Sequence, residues 1–308
     1  MQTFIVISCA LLVFTAAAAG AVSWYFGRYV YSLQELASIP FVDNAENIAW
    51  LQEQPSAESY RFLVMGDIQA GYRNISSLLK TPPGDCAFTV QTGDLVSHAD
   101  KGHYALALYE LKKSSLQAPF FVVPGNHDVK GNPSLFDDYF RLKQFSFVWS
   151  NSLFIFLDNS SGAPYDGLFQ YLEDTLKDHR GKVQWTFIFL HRPPIDWEHG
   201  APQPESKNYS RFFAIQKAYK IDWVFSGHLH DYREIELDGT RYISNGLESD
   251  QKGHTANESY YTVVTVSPEK VITKKIRLNA SSLEALKGNA LDCLVAHFYP
   301  ILERFLRK

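Results

Sequence analysis

The sequence predicts an α/β fold, and three observations carry that reading. Five short apolar runs read as buried strands, and each delivers an Asp, Asn or His just past its end. Those five junctions scatter over about 165 residues, so only a folded sheet brings them together. A Gly stands beside most of these polar residues and leaves room for close backbone approach. Loops at the C-terminal ends of strands are where α/β proteins place their chemistry.

At 308 residues with 46% apolar content, the chain has material for one large domain plus appendages. Its net charge of −4 gives no electrostatic case for a nucleic-acid partner. Residues 2–27 carry no charge, and Phe4 to Phe26 is long enough to span a bilayer. The run ends in Trp24, Tyr25 and Phe26, as an interfacial belt would. Ala16 to Ala21 also offers small residues for a signal peptidase, but no Lys or Arg precedes the run, which favours an uncleaved anchor over residues 1–27.

Residues 28–59 read as a juxtamembrane helix and polar linker with Pro40 and Pro55. This flank holds one basic residue, Arg28, against Glu35, Asp43, Glu46, Glu53 and Glu58, which leans towards an extracytoplasmic domain. Asn-x-Ser sequons at Asn74, Asn159, Asn208, Asn257 and Asn279 fit the same side. Cys9, Cys86 and Cys293 form no disulfide framework.

The first strand, Arg61 to Met65, runs into Gly66-Asp67-Ile68-Gln69. A short helix is expected over 74–80, closed by Pro82-Pro83-Gly84. Cys86 to Val90 runs towards Gly93-Asp94, and His98 on the following loop is either a substrate contact or a solvated histidine. Gly102 to Leu116 has helical apolar spacing. Pro119 to Val123 ends in Gly125-Asn126-His127-Asp128, where an amide oxygen, an imidazole and a carboxylate share one turn.

A short helix is expected over 133–142, then a hairpin of Phe145–Trp149 and Leu153–Leu157 about Ser150-Asn151-Ser152. The hairpin ends at Asp158-Asn159, read as an ordinary chain turn. Tyr165 to His179 is helical, and Trp185 to Leu190 ends in His191-Arg192-Pro193-Pro194. The irregular stretch from Pro194 to Arg211 reads as a lid or a surface excursion. In it Trp197 and His199 are candidates for a substrate headgroup, with Arg192 or Lys207 for a phosphate. Ile221 to Phe225 ends in Gly227-His228-Leu229-His230, and strands over 260–266 and 271–276 close the sheet.

The tail, residues 279–308, begins with a Ser281/Glu284 capping box and carries an apolar stripe kinked at Pro300. It packs on the domain or lies on the bilayer beside the anchor. Mixed oxygen and imidazole donors across the five junctions suit a pair of divalent metals such as Mn, Fe or Zn.

The ordered set GDIQ, GD, GNHD, HRPP and GHLH resembles the calcineurin-like metallophosphoesterase superfamily over roughly residues 60–278. The resemblance implies a four-layer sandwich of two mixed β-sheets flanked by helices, and a hydrolase of phosphoesters that uses two divalent metal ions. It implies Asp67 and His230 on the first metal, Asp94 bridging, and Asn126, His191 and His228 on the second. His127 is then the general acid or the stabiliser of the phosphoryl group.

One position departs: the family's usual His in the first block is Gln69 here. An amide oxygen is a harder and weaker donor than imidazole, which favours Mn or Mg over Zn at the first site. Three functions stay open. They are a membrane enzyme acting on a lipid-linked phosphate or pyrophosphate, an anchored hydrolase of soluble phosphoesters, and an inactive metal-binding receptor or scaffold.

Overall fold

The computed structural model describes residues 39–69, 71, 79, 86–114, 116–162, 165–197, 201–202, 209–246 and 259–278, together with 20 and 298. The expected anchor, the helix over 74–80, His199 and the amphipathic tail therefore lie almost wholly outside the described residues. Among the described residues no helix is long and apolar enough to cross a membrane.

Two mixed sheets form the centre. One runs β13 (Val271–Leu278), β12 (Ser259–Val266), β1 (Tyr60–Met65), β2 (Cys86–Gln91) and β3 (Phe120–Val122). In it β1, β2 and β3 are parallel, and β12 is antiparallel to β1. The other runs β10 (Arg233–Leu237), β11 (Thr240–Ser244), β9 (Trp223–Ser226), β6 (Trp185–Leu190), β5 (Ser152–Leu157) and β4 (Phe145–Trp149). Its four middle strands are parallel and its two edges antiparallel. A short ribbon pairs β7 (Ile195–Asp196) with β8 (Ala201–Pro202) inside the stretch expected to be irregular.

The period-two alternation of each strand decides the layers. Along β1, Phe62 and Val64 enter the inter-sheet core, while Leu63 and Met65 face outward to a second core. Along β5, Phe154 and Phe156 point inward, and Leu153, Ile155 and Leu157 outward to a third. The inner core is a mesh of phenylalanines: Phe62 stacks on Phe88 at 5.0 Å and meets Phe187 edge-on at 5.2 Å. Each fully buried Phe contributes roughly 1.5–3 kcal/mol relative to exposure.

Helices cover the two outer faces. On the first sheet lie α2 (Lys101–Ser114) and α4 (Ser134–Phe140), through Tyr104, Leu108, Phe136 and Phe140. On the second lie α5 (Asp166–His179) and α6 (Tyr209–Tyr219), through Leu168, Leu172, Phe212 and Ile215. Between β3 and α4 sits the single turn α3 (Asn126–Val129). The order is helix, sheet, sheet, helix, the expected four layers.

The stretch expected to be linker contains α1 (Asn44–Glu53), capped by the Asp43 carboxylate on Ala45 N and Glu46 N. Its buried Asn44 side chain bonds Val122 O at 2.9 Å, Val122 N at 3.0 Å and Leu142 O at 2.8 Å. Buried amides stitched to β3 carry no hydrophobic periodicity, which is why a pattern reading expects a helix and a linker here without placing the helix at 44–53. The strands β10 and β11 and the helix α6 were also unforeseen.

The parallel strands fix the place of the chemistry. β1, β2 and β3 on one sheet and β5, β6 and β9 on the other all deliver polar residues past their C-terminal ends. There the backbone amide of Gly227 donates to His191 O, and that of Asp67 to Gly93 O, each at 3.0 Å.

Candidate metal centre

Seven of the polar residues read from the strand ends come together here. The carboxylates of Asp67 and Asp94 are buried, as is the imidazole of His191. Donor atoms of Asp94, His191 and His228 lie within 4.8 Å of one another, and so do those of Asp67, Asp94 and His230. Asp94 belongs to both groups. Asn126 Oδ1 stands 3.1 Å from His191 Nε2. Gln69 Nε2 stands 3.2 Å from Asp94 Oδ2 and 3.1 Å from His230 Nε2.

The backbone holds these side chains in an unusual way. Asp67 (φ 53°), Gln69 (40°), Asp94 (54°), His228 (73°) and His230 (53°) all occupy the left-handed region. Asp and His tolerate that region better than most residues, Gln less so. Strain of this kind persists only where the surroundings over-determine it, and it clusters at functional sites. The carboxylate of Asp67 accepts from the amide of His228 at 2.8 and 2.9 Å, so a residue of one sheet orients a loop of the other. Asp94 Oδ1 likewise accepts from His127 N at 2.8 Å. A Cβ on Gly125 would collide with the backbone nitrogen and carboxylate of Asp94, so only Gly fits there.

Electrostatics marks the site as a sink for positive charge. Burial pushes the Asp67 carboxyl well above the usual carboxylate range, and the Asp94 charge adds to it. Burial alone would raise Asp94 too, but the His191 imidazolium and its hydrogen bond hold it well below the usual range. Burial opposes a charged His191, yet the Asp94 and Asp67 carboxylates outweigh it and raise the imidazole to about 9. His228 goes the other way, to about 3, through burial and then the positive charges of His191 and Arg192. Among the described residues, the ion-pair partners of Asp67 and Asp94 are histidines. Buried carboxylates facing imidazoles, with no Lys or Arg to neutralise them, fit divalent cations of the Mn, Fe or Zn type.

Three further residues, His127, Asp128 and Asn159, complete the centre and help fix His191 within it. His127 Nδ1 donates to Ser97 O at 2.7 Å, which leaves Nε2 on the side of Asp94, 4.0 Å from Oδ2. Asp128 is buried under it, accepting from Val96 N and Gly125 N, and burial with the Asp94 charge pushes its carboxyl up to about 7. His191 Nδ1 donates to Thr92 O at 3.0 Å, which turns Nε2 towards the donors. Asn159, taken from sequence as a turn former and a sequon, is buried instead. Its Oδ1 accepts from His191 N and Arg192 N at 3.0 Å, and its Nδ2 donates to Arg192 O at 2.7 Å. It follows β5 as the other donors follow their strands, and that parity was the signal available. Burial there leaves no room for a glycan in the folded state.

The substrate candidates divide. The Arg192 guanidinium reaches the centre, 2.9 Å from His228 Nε2. Trp197 does not point to it: the indole packs against the outer core of the second sheet. His199 and Lys207 lie outside the described residues. His98 is exposed on the rim, its ring 5.1 Å from His103 and 6.3 Å from His127.

Comparison with known proteins bears on the family and the fold. A family model described as calcineurin-like phosphoesterase matches residues 60–232, more than half of the chain. Among solved structures, GAP50, the anchor in the inner membrane complex of Plasmodium, is 18% identical with a TM-score of 0.54, covering 76% of this chain and 95% of that one. A dimetal phosphatase from Danio rerio is 13% identical with a TM-score of 0.55, covering 72% and 99%. A purple acid phosphatase from yellow lupin (Lupinus luteus) seeds is 15% identical with a TM-score of 0.57, covering 72% of this chain and 52% of its own. At these identities the likeness is one of fold.

Proposed function

The chain belongs to the calcineurin-like phosphoesterase family, a family of phosphoric ester hydrolases, and from that premise we propose that it hydrolyses phosphoesters with two divalent cations shared through Asp94. The observation that carries the reading is the pair of donor groups with Asp94 common to both. Asp67, Gln69 and His230 would hold one cation, Asn126, His191 and His228 the other, with Mn the preferred metal because Gln69 replaces an imidazole by an amide oxygen. Bound divalent cations supply charge neutralisation at the phosphoryl oxygens and acidify the attacking water.

The chain's own residues do the rest. The Ser97 carbonyl fixes the His127 ring, so its Nε2 can hold a proton beside the leaving oxygen. Arg192, next to the centre, offers planar paired donors that match two phosphoryl oxygens. The buried Asp128 braces the turn that carries Asn126 and His127 by accepting from Gly125 N and Val96 N.

For the substrate, a phosphate or pyrophosphate carried on a lipid is favoured by the uncharged run over 2–27 and the amphipathic tail, both features of the sequence. Catalysis on the extracytoplasmic side rests on the acidic flank that follows that run. A second reading, a cation-binding scaffold without turnover, draws on Gln69, whose amide nitrogen faces both Asp94 and His230.

The test is reconstitution of the metal-free protein with Mn, followed by chromogenic phosphomonoester and phosphodiester assays. Turnover that vanishes in Asp94→Asn supports the enzyme; two bound Mn ions with no turnover on either ester supports the scaffold. Comparing lipid-linked with soluble esters, with and without residues 1–30, decides the substrate class.

A further inference from the structure

Lys275 lies at the edge of the first sheet, and its surroundings hold an ammonium group in a fixed place. It stands on β13 opposite Thr262 of β12, and Thr262 in turn stands opposite Val64 of β1. β1 runs on from Val64 to Asp67, so Lys275 is level with the end of the sheet that carries the first donors. Its Nζ lies 3.6 Å from the ring centroid of Tyr260 and 4.3 Å from that of Tyr232. The two rings stand 6.4 Å apart at 59°, and the ammonium sits between them.

A staple for the edge strand would need Tyr260 alone, a diagonal neighbour on β12. The second ring comes from the other sheet: Tyr232 follows His230 by two residues, on the loop that carries proposed metal donors. Chain reach puts the ammonium on the order of 10 Å from His230. Its charge is not cancelled there. Tyr232 Oη donates to Glu234 Oε2 at 3.0 Å, Glu234 pairs with Arg241, and Asp231 pairs with Arg233. Those acids are committed elsewhere, and the exposed Lys275 has no ion-pair partner among the described residues. Ring faces attract a cation without neutralising it. They also restrict a long side chain in advance, so it loses less freedom when it grips an anion.

We propose that Lys275 is a substrate-binding residue that takes a second phosphate group, carried on the same molecule as the scissile one and held away from it by a spacer. This rests on the two-cation reading above and adds a substrate class to it: molecules phosphorylated twice, in preference to simple monoesters. Arg192 touches His228 of the second cation site, while Lys275 stands beyond His230 of the first. The two cationic side chains thus flank the centre from different sides. Lys275 donates to the remote phosphate as a point charge, and the scissile group stays with the cations and Arg192.

The experiment loads full-length wild type and Lys275→Gln with Mn and measures, by calorimetry, binding of hexylphosphonate and of alkane-α,ω-bisphosphonates from propane to octane, none of which has an ester to cleave. In wild type one spacer length should bind more tightly than hexylphosphonate, by a factor on the order of 10 or more. Lys275→Gln should bind hexylphosphonate as wild type does and keep only the statistical gain of a ligand with two equivalent ends. Lys275→Arg should restore most of the difference. The same bisphosphonate advantage in Lys275→Gln, or none at any length in wild type, overturns the proposal and leaves the two-cation reading standing. A role confined to stapling the edge strand would lower the urea midpoint of Lys275→Gln and leave the ratio of the two affinities unchanged. Failure of every phosphonate to bind Mn-loaded wild type overturns both readings.

Discussion

The side-chain nitrogen of Gln69 stands 3.2 Å from Asp94 Oδ2, so the residue that departs from the family pattern touches the carboxylate shared by both donor groups. In this orientation the amide presents N–H to Asp94 and His230; rotated by half a turn it presents its oxygen to the same space. Gln69→His replaces that oxygen by imidazole nitrogen. Metal analysis of protein refolded with mixed cations should show Zn or Fe rising at the expense of Mn. Unchanged content would reject Gln69 as a metal contact.

Asp94→Asn should abolish turnover while the circular dichroism spectrum stays that of the wild type, because the amide keeps the side chain's shape and removes the shared charge. His228→Ala should do the same with loss of one cation. Full metal-dependent activity in the Asp94 variant would be incompatible with the site proposed here.

His127 has its ring anchored on Ser97 O and donates its backbone N–H, not its imidazole, to Asp94 Oδ1. His127→Ala should therefore keep the metal content and lower kcat by a factor on the order of 10² or more. Loss of bound metal in that variant would turn His127 from a proton donor into a metal contact.

Asn159→Ala leaves the N–H groups of His191 and Arg192 without their acceptor. Burying such orphans costs about 1–3 kcal/mol, read as a lower midpoint in urea. A positioning role also predicts weaker Mn binding at the His191 site, which a purely structural loss would not produce once the protein is folded. The same affinity as wild type would confine Asn159 to stability.

Proton release offers a fifth check. His191, raised from its ordinary 6.5 to about 9 in the metal-free protein, carries a proton at neutral pH that a cation must displace. Asp67, pushed upward by burial, also keeps its proton longer than a free carboxylate. Mn affinity should rise with pH up to about 9, and calorimetry in buffers of different ionisation heat should show protons leaving. Folding stability of the metal-free protein follows the opposite course. The raised histidine contributes fully below 6.5 and loses its contribution as pH climbs through 9. Asp67 acts in the same direction from lower pH, since its unfolded form gives up its proton first. A metal-free melting temperature that is higher at pH 9 than at pH 6 would contradict the His191 assignment.

Much of this was legible in the sequence because strand periodicity and strand ends leave marks. Phe62 and Val64 alternate with Leu63 and Met65, and the layer each faces follows from that alternation. Asp67, Asp94, Asn126, His191, His228 and His230 each sit just past an apolar run. Asn159 sits past one as well and was passed over, because Asn is also an ordinary turn former and burial is not written in one residue. α1 falls in a stretch expected to hold a helix and a linker but could not be placed there, because beside the apolar Leu51 it is fastened by the buried amides of Asn44 and Asn47. Trp197 drew attention as an aromatic in a loop, but an indole has more surface to bury than any other side chain, and the outer core claimed it.

The division of donors between the sheets has a consequence for biosynthesis. Oxygen donors Asp67, Gln69, Asp94 and Asn126 follow β1, β2 and β3, which are translated before any strand of the second sheet, while the imidazoles of His191, His228 and His230 follow β6 and β9 of that second sheet. A nascent chain that has completed only its early half offers hard, weakly selective atoms and none of the nitrogen donors that grip transition metals. If these residues hold the cations as proposed, loading would wait until residue 230 has emerged and the two sheets have met, and a cation held there would tie the early strands of the polypeptide to the later ones.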